Sequence, residues 1–350
     1  MPELRKDPIT QEWVIMAVER ARRPSDFVLL ENTSPDAHPE WSEDCPFCPG
    51  NEAKTPPEVL AYRKMGSPNS PNWWVRVVPN RYPALAIEGG LRKVGRGLYD
   101  TMNGVGAHEV VIETPLHNKT LPRLDESAIA DVIWSWRDRY LDLRKDRRFQ
   151  YILIFRNQGE LAGASLVHPH CQLVATPVVP LEVVHEMQGF RVYQDFHDRC
   201  AMCDIVMQEL DEGERVVLEN EHFIAVEPFV SKYPFETMIV PKVHRGGFVD
   251  MSREEVEQCA SILKGALLKL EVCLRNPPYN FNLHTAPCGQ EQTATFHWHL
   301  DIVPRLTTAA GFEMGTGIYI NVTAPEDAAA FLRAADVSVR DVPKLDFAPR

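Results

Sequence analysis

The chain has 350 residues, 44% hydrophobic and 25% charged, which suits one large domain or two of ordinary size and argues against wholesale disorder. Its 37 basic and 49 acidic residues leave a formal charge of -12, a poor balance for non-specific nucleic-acid binding, which needs basic surface. No run approaches the ~20 apolar residues that span a bilayer, and residues 1–10 hold no signal-peptide core, so a cytoplasmic protein without membrane or nucleic-acid partners is expected.

Short β-rich runs are expected at 109–113, 150–155, 223–226, 237–240 and 281–284. A first helix is predicted over 125–146, where Ala128, Val132, Ile133, Trp136, Tyr140 and Leu143 recur near helical period. A polar stretch at 186–199 marks the boundary between two halves. A second helix is predicted over 252–274, opened by Ser252 with Glu255 three residues on, a capping-box pattern. A last helix near 325–335 follows Pro325-Glu326-Asp327.

The chain reads as built twice. Cys45-Pro-Phe-Cys48 leads through His117 to His168-Pro-His170, and Cys200-Ala-Met-Cys203 leads through His244 to His297-Trp-His299. Each H-x-H sits on an apolar run ending in Val, and the elements recur in one order. The expected fold is α+β, two tandem units of mostly antiparallel strands with flanking helices.

Four of the eight cysteines form the two C-x-x-C pairs. In a reducing compartment such pairs favour metal over disulfide, and a closed structural zinc site takes four N/S ligands. The expected sites are Cys45, Cys48, His117 and His168, and Cys200, Cys203, His244 and His297, giving two zinc ions per chain. With all four positions taken by protein, the ions would stiffen the scaffold and leave no place for a reactive water. A buried or redox dithiol is the other reading, but no thioredoxin-like βαβ context surrounds either pair.

The most informative stretch runs from Asn157 to Gln172, behind an apolar strand at 151–155. On a strand His168, His170 and Gln172 share a face, while Cys171 points away. Gly159, Ala162, Gly163 and Ser165 before them permit tight turns and close backbone approach to an anion. Neutral imidazole attacks phosphorus without an activating base, provided a partner fixes its tautomer. Gln172 can donate to a phosphate oxygen without acting as a proton source, which argues against a hydrolase.

The pattern N-x-G-x-x-A-G-x-S-x-x-H-x-H-x-Q resembles the galactose-1-phosphate uridylyltransferase branch of the histidine-triad superfamily, over nearly the whole chain. The resemblance implies a catalytic half at 1–186 and a degenerate half at 187–350, and a homodimer with sites assembled from both chains. It implies a ping-pong reaction in which His170 attacks the α-phosphorus of a nucleoside-diphosphate sugar, and a sugar phosphate or other phosphate acceptor then takes the nucleotidyl group. Gln172 would steady that intermediate and Ser165 bind phosphate. Arg20, Arg23, Asn80, Asn157 and Gly163 would contact nucleotide or phosphate. The region of Glu313 and Gly315 would face the hexose. It lacks a lysine usual in the galactose enzymes and is similar to a sister branch that moves AMP between ADP-glucose and phosphate. Uridylyl transfer between UDP-glucose and a hexose 1-phosphate is the first expectation, ADP-glucose phosphorolysis the second. Some relatives carry a second metal on a glutamate and three histidines, here Glu186, His284, His297 and His299. The cysteine set is preferred because soft thiolates suit zinc.

Overall fold

The computed structural model describes residues 1–20 and 38–337, with only the backbone of Arg20. In chain order the elements are β1 (Glu3–Lys6), β2 (Trp13–Met16), β3 (Leu60–Arg63), β4 (Trp73–Pro79), β5 (Val94–Arg96), β6 (Tyr99–Thr101), β7 (Ala107–Ile112), α1 (Glu126–Leu143), β8 (Tyr151–Gln158) and β9 (His170–Thr176). The second half continues with α2 (Leu181–His197), α3 (Ala201–Glu212), β10 (Val216–Glu219), β11 (Phe223–Val226), β12 (Thr237–Pro241), α4 (Arg253–Leu274), β13 (Tyr279–His284), β14 (His299–Pro304), α5 (Gly311–Thr316), β15 (Tyr319–Asn321) and α6 (Pro325–Arg333). None of these helices is long and apolar enough to cross a membrane.

Ten strands form one antiparallel sheet in the order β10-β11-β12-β14-β13-β8-β9-β7-β4-β3. Outward from its centre the order is the same in both directions: β8, β9, β7, β4, β3 and β13, β14, β12, β11, β10. α1 precedes β8 as α4 precedes β13. The duplication seen in the sequence is therefore a repeated five-strand, one-helix unit, and the two copies join edge to edge. At the seam Asn157 lies opposite Asn280 and Phe155 opposite Asn282. A separate small sheet pairs β1 with β2 and, in parallel, β2 with β15, tying the chain's start to residues 319–321.

α1 and α4 pack side by side on one face of the large sheet, where Trp136, Tyr140, Leu263 and Leu267 meet Ile152, Ile154, Leu173, Phe281 and Leu300 in one continuous core. Ser252 caps α4 as expected, its hydroxyl accepting from the Glu255 N–H at 3.2 Å while the Glu255 carboxylate accepts from the Ser252 N–H at 2.7 Å. The polar stretch at 186–199 is largely helix, because Val183, Met187 and Phe190 form a thin apolar stripe at helical spacing, and Met187 and Phe190 pack with β11 and β12 residues. On the face away from α1 and α4, the first half carries Cys45, Phe47, Cys48, Trp73, Val110 and Ile112, and the second carries Phe190, Met202, Val206, Ile224 and Val226. Strand alternation thus sends Cys171 and Leu173 toward the helices and leaves His170 and Gln172 on the other face.

Leu263 is fully buried at the α1–α4 contact. Leu263→Ala should lower unfolding free energy by about 2–5 kcal/mol in urea titration, the range for a large-to-small change in a packed core. A loss below about 1 kcal/mol would show that this contact is not tightly packed.

Candidate active site and metal centres

The first C-x-x-C forms a turn before β3, closed by Cys48 N–H to the Cys45 carbonyl at 3.3 Å and Asn51 N–H to the Cys48 carbonyl at 3.0 Å. Asn51 stitches this loop by donating to the carbonyls of Ser42, Glu43 and Cys45, and Gly50 takes a φ of +92° that a side chain would strain. His117 follows β7 and His168 precedes β9, the neighbouring strand, so the sheet brings both rings onto the turn. Cys45 Sγ and Cys48 Sγ lie 3.7 and 3.6 Å from His168 Nδ1, and Cys48 Sγ lies 3.5 Å from His117 Nδ1. A tetrahedral zinc with ordinary bond lengths sets S···N edges of about 3.6 Å. The four donors fit that ion. Burial pushes the Cys45 thiol up to about 11 and the His168 imidazole down to about 4, so the site favours neutral imidazole and leaves its thiols to be deprotonated by a cation. His168 Nε2 points to the Thr114 carbonyl at 2.8 Å, the outer partner that orients a ligating ring.

The second half repeats the arrangement at the start of α3. Cys200 Sγ lies 3.7 Å from His297 Nδ1, and Cys203 Sγ lies 3.5 Å from His297 Nδ1 and 3.7 Å from His244 Nδ1. The hydrogen bond with Cys203, followed by those with His244 and His297, holds the Cys200 thiol far below its ordinary value. His297 therefore sides with the cysteines, away from Glu186, His284 and His299. Those three form a separate group, with Glu186 Oε2 3.2 Å from His284 Nδ1 and Glu186 Oε1 3.5 Å from His299 Nε2. Burial opposes charge on His284, yet Glu186 and then Asp301 lift its imidazole to about 9.

His170 opens β9 and is buried, its ring edge-on to Phe47 at 5.4 Å. Its Nδ1 lies 2.8 Å from the His168 carbonyl, which can only accept, so the proton sits on Nδ1 and the Nε2 lone pair is free. Burial holds this imidazole down at about 4, helped by the buried guanidinium of Arg156 behind it. Arg156 donates to the His170 carbonyl at 3.3 Å and pairs with Glu113 in the interior. Cys171 is buried on the opposite face, within 2.9 Å of the Trp136 indole N–H, and burial raises its thiol well above the ordinary value. It is no rival nucleophile.

A cavity of 570 Å³ opens in front of His170, walled by Asn157, Gly159, Ser165, Pro169 and, from the second half, Asn276, Pro277 and Pro278. Gly159 and Gly163 take φ of +81° and +86°, and a Cβ on Gly159 would come 3.0 Å from Pro278. Asn280, across the seam, donates to Asn157 Oδ1 at 2.7 Å and to the Ala162 carbonyl at 2.8 Å, which fixes the Asn157 amide and the glycine turn together. Gln172, one pleat beyond His170, is bound through Oε1 to His108 Nε2 at 2.7 Å. Asn80 follows β4 and lies 3.2 Å from the same His108 nitrogen.

The expected residues do not all converge. Glu313 and Gly315 lie on α5, which packs on β15 and does not line this cavity. Arg20 ends a short turn at 18–20, with only its backbone described, and Arg23 lies outside the described residues. Sequence reasoning passed over Phe47, Arg156 and His108. Phe47 sits inside the C-x-x-C, Arg156 shares the parity of the inward residues Ile152 and Ile154 of β8, and His108 has the same strand parity as Val110 beside Gln172. Strand pairing was needed to make that parity visible. Cys48→Ser should leave the purified chain with about one zinc fewer and a lower Tm, read by elemental analysis and thermal melting. Unchanged zinc would remove Cys48 from the site.

A family model for the N-terminal domain of galactose-1-phosphate uridyl transferase matches residues 1–180, and one for its C-terminal domain matches 186–338. ADP-glucose phosphorylase of Arabidopsis thaliana is 37% identical over 341 residues, covering 96% of this chain and 94% of its own. Galactose-1-phosphate uridylyltransferase of Thermotoga maritima is 31% identical over 349 residues, covering 97% and 100%. The crystal structure of the Arabidopsis thaliana phosphorylase with bound ADP-glucose superposes with a TM-score of 0.81 at 36% identity, covering 96% of this chain and 100% of that one. With both halves matched and relatives of this identity aligned end to end, the chain belongs to the galactose-1-phosphate uridyl transferase family.

Proposed function

We propose that this chain is a nucleotidyltransferase that carries a nucleoside monophosphate on His170 between a nucleoside-diphosphate hexose and a phosphate-bearing acceptor. One observation carries the reading: a buried, neutral imidazole with its proton held on Nδ1 by a backbone carbonyl, and its free nitrogen at a cavity beside a glycine-rich turn. Nε2 attacks the α-phosphorus, an N–P bond forms, and the bond from that phosphorus to the bridging oxygen breaks with its electrons leaving on the hexose 1-phosphate. An acceptor phosphate oxygen then attacks the same phosphorus and returns His170 to its neutral form. Each step needs positioning and charge stabilisation more than proton transfer, which suits a site with Gln172 where a proton donor would favour hydrolysis. Ser165 and the N–H groups of the turn supply hydrogen bonds to the phosphates. Zinc at the cysteine–histidine centres would hold the scaffold and take no part in the transfer.

Two nucleotides compete. Uridylyl transfer from UDP-glucose to galactose 1-phosphate follows from the motif alone. Adenylyl transfer from ADP-glucose to phosphate is supported by the identity to the Arabidopsis thaliana phosphorylase and by the lysine-free stretch at 311–321. Glu313 and Gly315, remote from His170 within one chain, would then serve the site of a second copy in a homodimer.

Intact mass after incubation with UDP-glucose or ADP-glucose, each without acceptor, tests both points. Wild-type protein should gain one nucleotidyl group from its own substrate, and His170→Ala should gain none while keeping its zinc. A uridylyl adduct discharged by galactose 1-phosphate supports the first nucleotide, and an adenylyl adduct discharged by phosphate supports the second. A labelled His170→Ala protein, or an unlabelled wild type, would sink the covalent mechanism.

A further inference from the structure

The proposed chemistry requires Gln172 to present its amide NH₂, a donor, to the phosphate oxygens. Gln172 shares the strand face of His170, and the two ends of a primary amide are nearly the same shape, so the backbone of β9 alone cannot choose which end is left free beside His170. His108 supplies the choice. It lies on β7, whose register places Val110 opposite Gln172 and His108 opposite Val174. His108 and Gln172 are therefore diagonal neighbours on one face of the sheet, within reach of long side chains.

The tautomer of His108 follows from its surroundings. The Ala84 backbone N–H, which can only donate, points at His108 Nδ1 from 3.2 Å, so Nδ1 is the acceptor and Nε2 carries the proton. Nε2 lies 2.7 Å from Gln172 Oε1, a separation that a carbonyl oxygen and a ring nitrogen keep only with a proton between them. Asn80 Nδ2 also lies 3.2 Å from Nε2, but its own amide is fixed the other way round by Tyr82 N–H donating to Asn80 Oδ1 at 2.8 Å. It is therefore a second donor and cannot satisfy a protonated Nε2, which leaves Gln172 Oε1 as the acceptor. Asn80 N–H in turn donates to the His108 carbonyl at 2.8 Å, binding the loop after β4 to the same residue.

We propose that His108 is a positioning residue for nucleotidyl transfer: it pins the carbonyl of Gln172 through Nε2–H and so turns the Gln172 NH₂ toward the phosphorus being transferred. The inference rests on the His170 mechanism proposed above. It gives a chain of orientation from the Ala84 backbone through His108 and Gln172 to the reacting group. No proton moves along it; each donor only fixes the next acceptor.

The test is single-turnover adduct formation, followed by intact mass, in wild type, H108L, H108Q, Q172A and the double variant H108L/Q172A. Leucine keeps much of the volume but cannot donate. H108L should slow labelling by about 10–100-fold, the penalty of a misplaced transition-state contact, while the final extent of labelling, zinc content and Tm stay near wild type. H108Q, whose amide can donate to Gln172, should recover most of the rate. In the Q172A background, H108L should slow labelling no further, because residues acting as a unit are not additive. Labelling of H108L at the wild-type rate, or the same slowing in both backgrounds, would overturn the role of His108 and leave the covalent mechanism standing. A wild type that takes no label from either nucleotide sugar would overturn both.

Discussion

The hydrogen bond from His170 Nδ1 to the carbonyl of His168 joins the scaffold to the chemistry. His168 holds its own ring among two thiols and a second imidazole, and its carbonyl holds the next histidine along the strand. The position of the His170 ring thus depends on the rigidity of the cysteine–histidine cluster. A metal bound there would act on the reaction only through that backbone, by keeping the ring from turning. The same bond settles which nitrogen is free, because a carbonyl oxygen admits only the protonated one.

The second half keeps this framework and surrounds it with different side chains. His299 Nδ1 lies 3.1 Å from the His297 carbonyl, and His297 sits with Cys200 and Cys203, the arrangement of the first half repeated. Around His299, however, stand Glu186 and Asp301, the latter at the position that Gln172 holds on β9. Carboxylates repel a phosphate where an amide would donate to it. The paired imidazole and carboxylate of His284 and Glu186 satisfy each other, so this copy has the geometry of the first with acidic groups around it. It contributes to the first site through the seam instead, where Asn280 sets the Asn157 amide and Pro278 closes against Gly159.

Burial does much of the electrostatic work around His170. With Arg156 and Glu113 buried as a pair behind β9, the cationic imidazole is unfavourable and the His170 ring stays neutral. Cys171, one residue on, feels the same burial with the opposite consequence for reactivity, since a buried thiol resists becoming the thiolate that could attack. One strand thereby carries a neutral imidazole and a protonated thiol on opposite faces.

The repeated C-x-x-C and H-x-H patterns, the capping box at Ser252 and the period of α1 and α4 were all determined by the sequence itself, because each depends on residues a few positions apart. So was the shared strand face of His170 and Gln172, two residues apart. What required the tertiary structure depends on contacts between distant segments. The edge-to-edge join of β8 and β13 turns two repeats into one sheet, and no local pattern states which strand will pair with which. The β8–β13 join places Asn280 on Asn157, β7–β9 pairing sets His108 diagonal to Gln172, and the fold of the second half assigns His297 to the thiols in preference to Glu186. Glu313 and Gly315 mark the other limit: their motif suggested the site, but α5 packs on β15, and among the described residues no strand carries them to the cavity at His170.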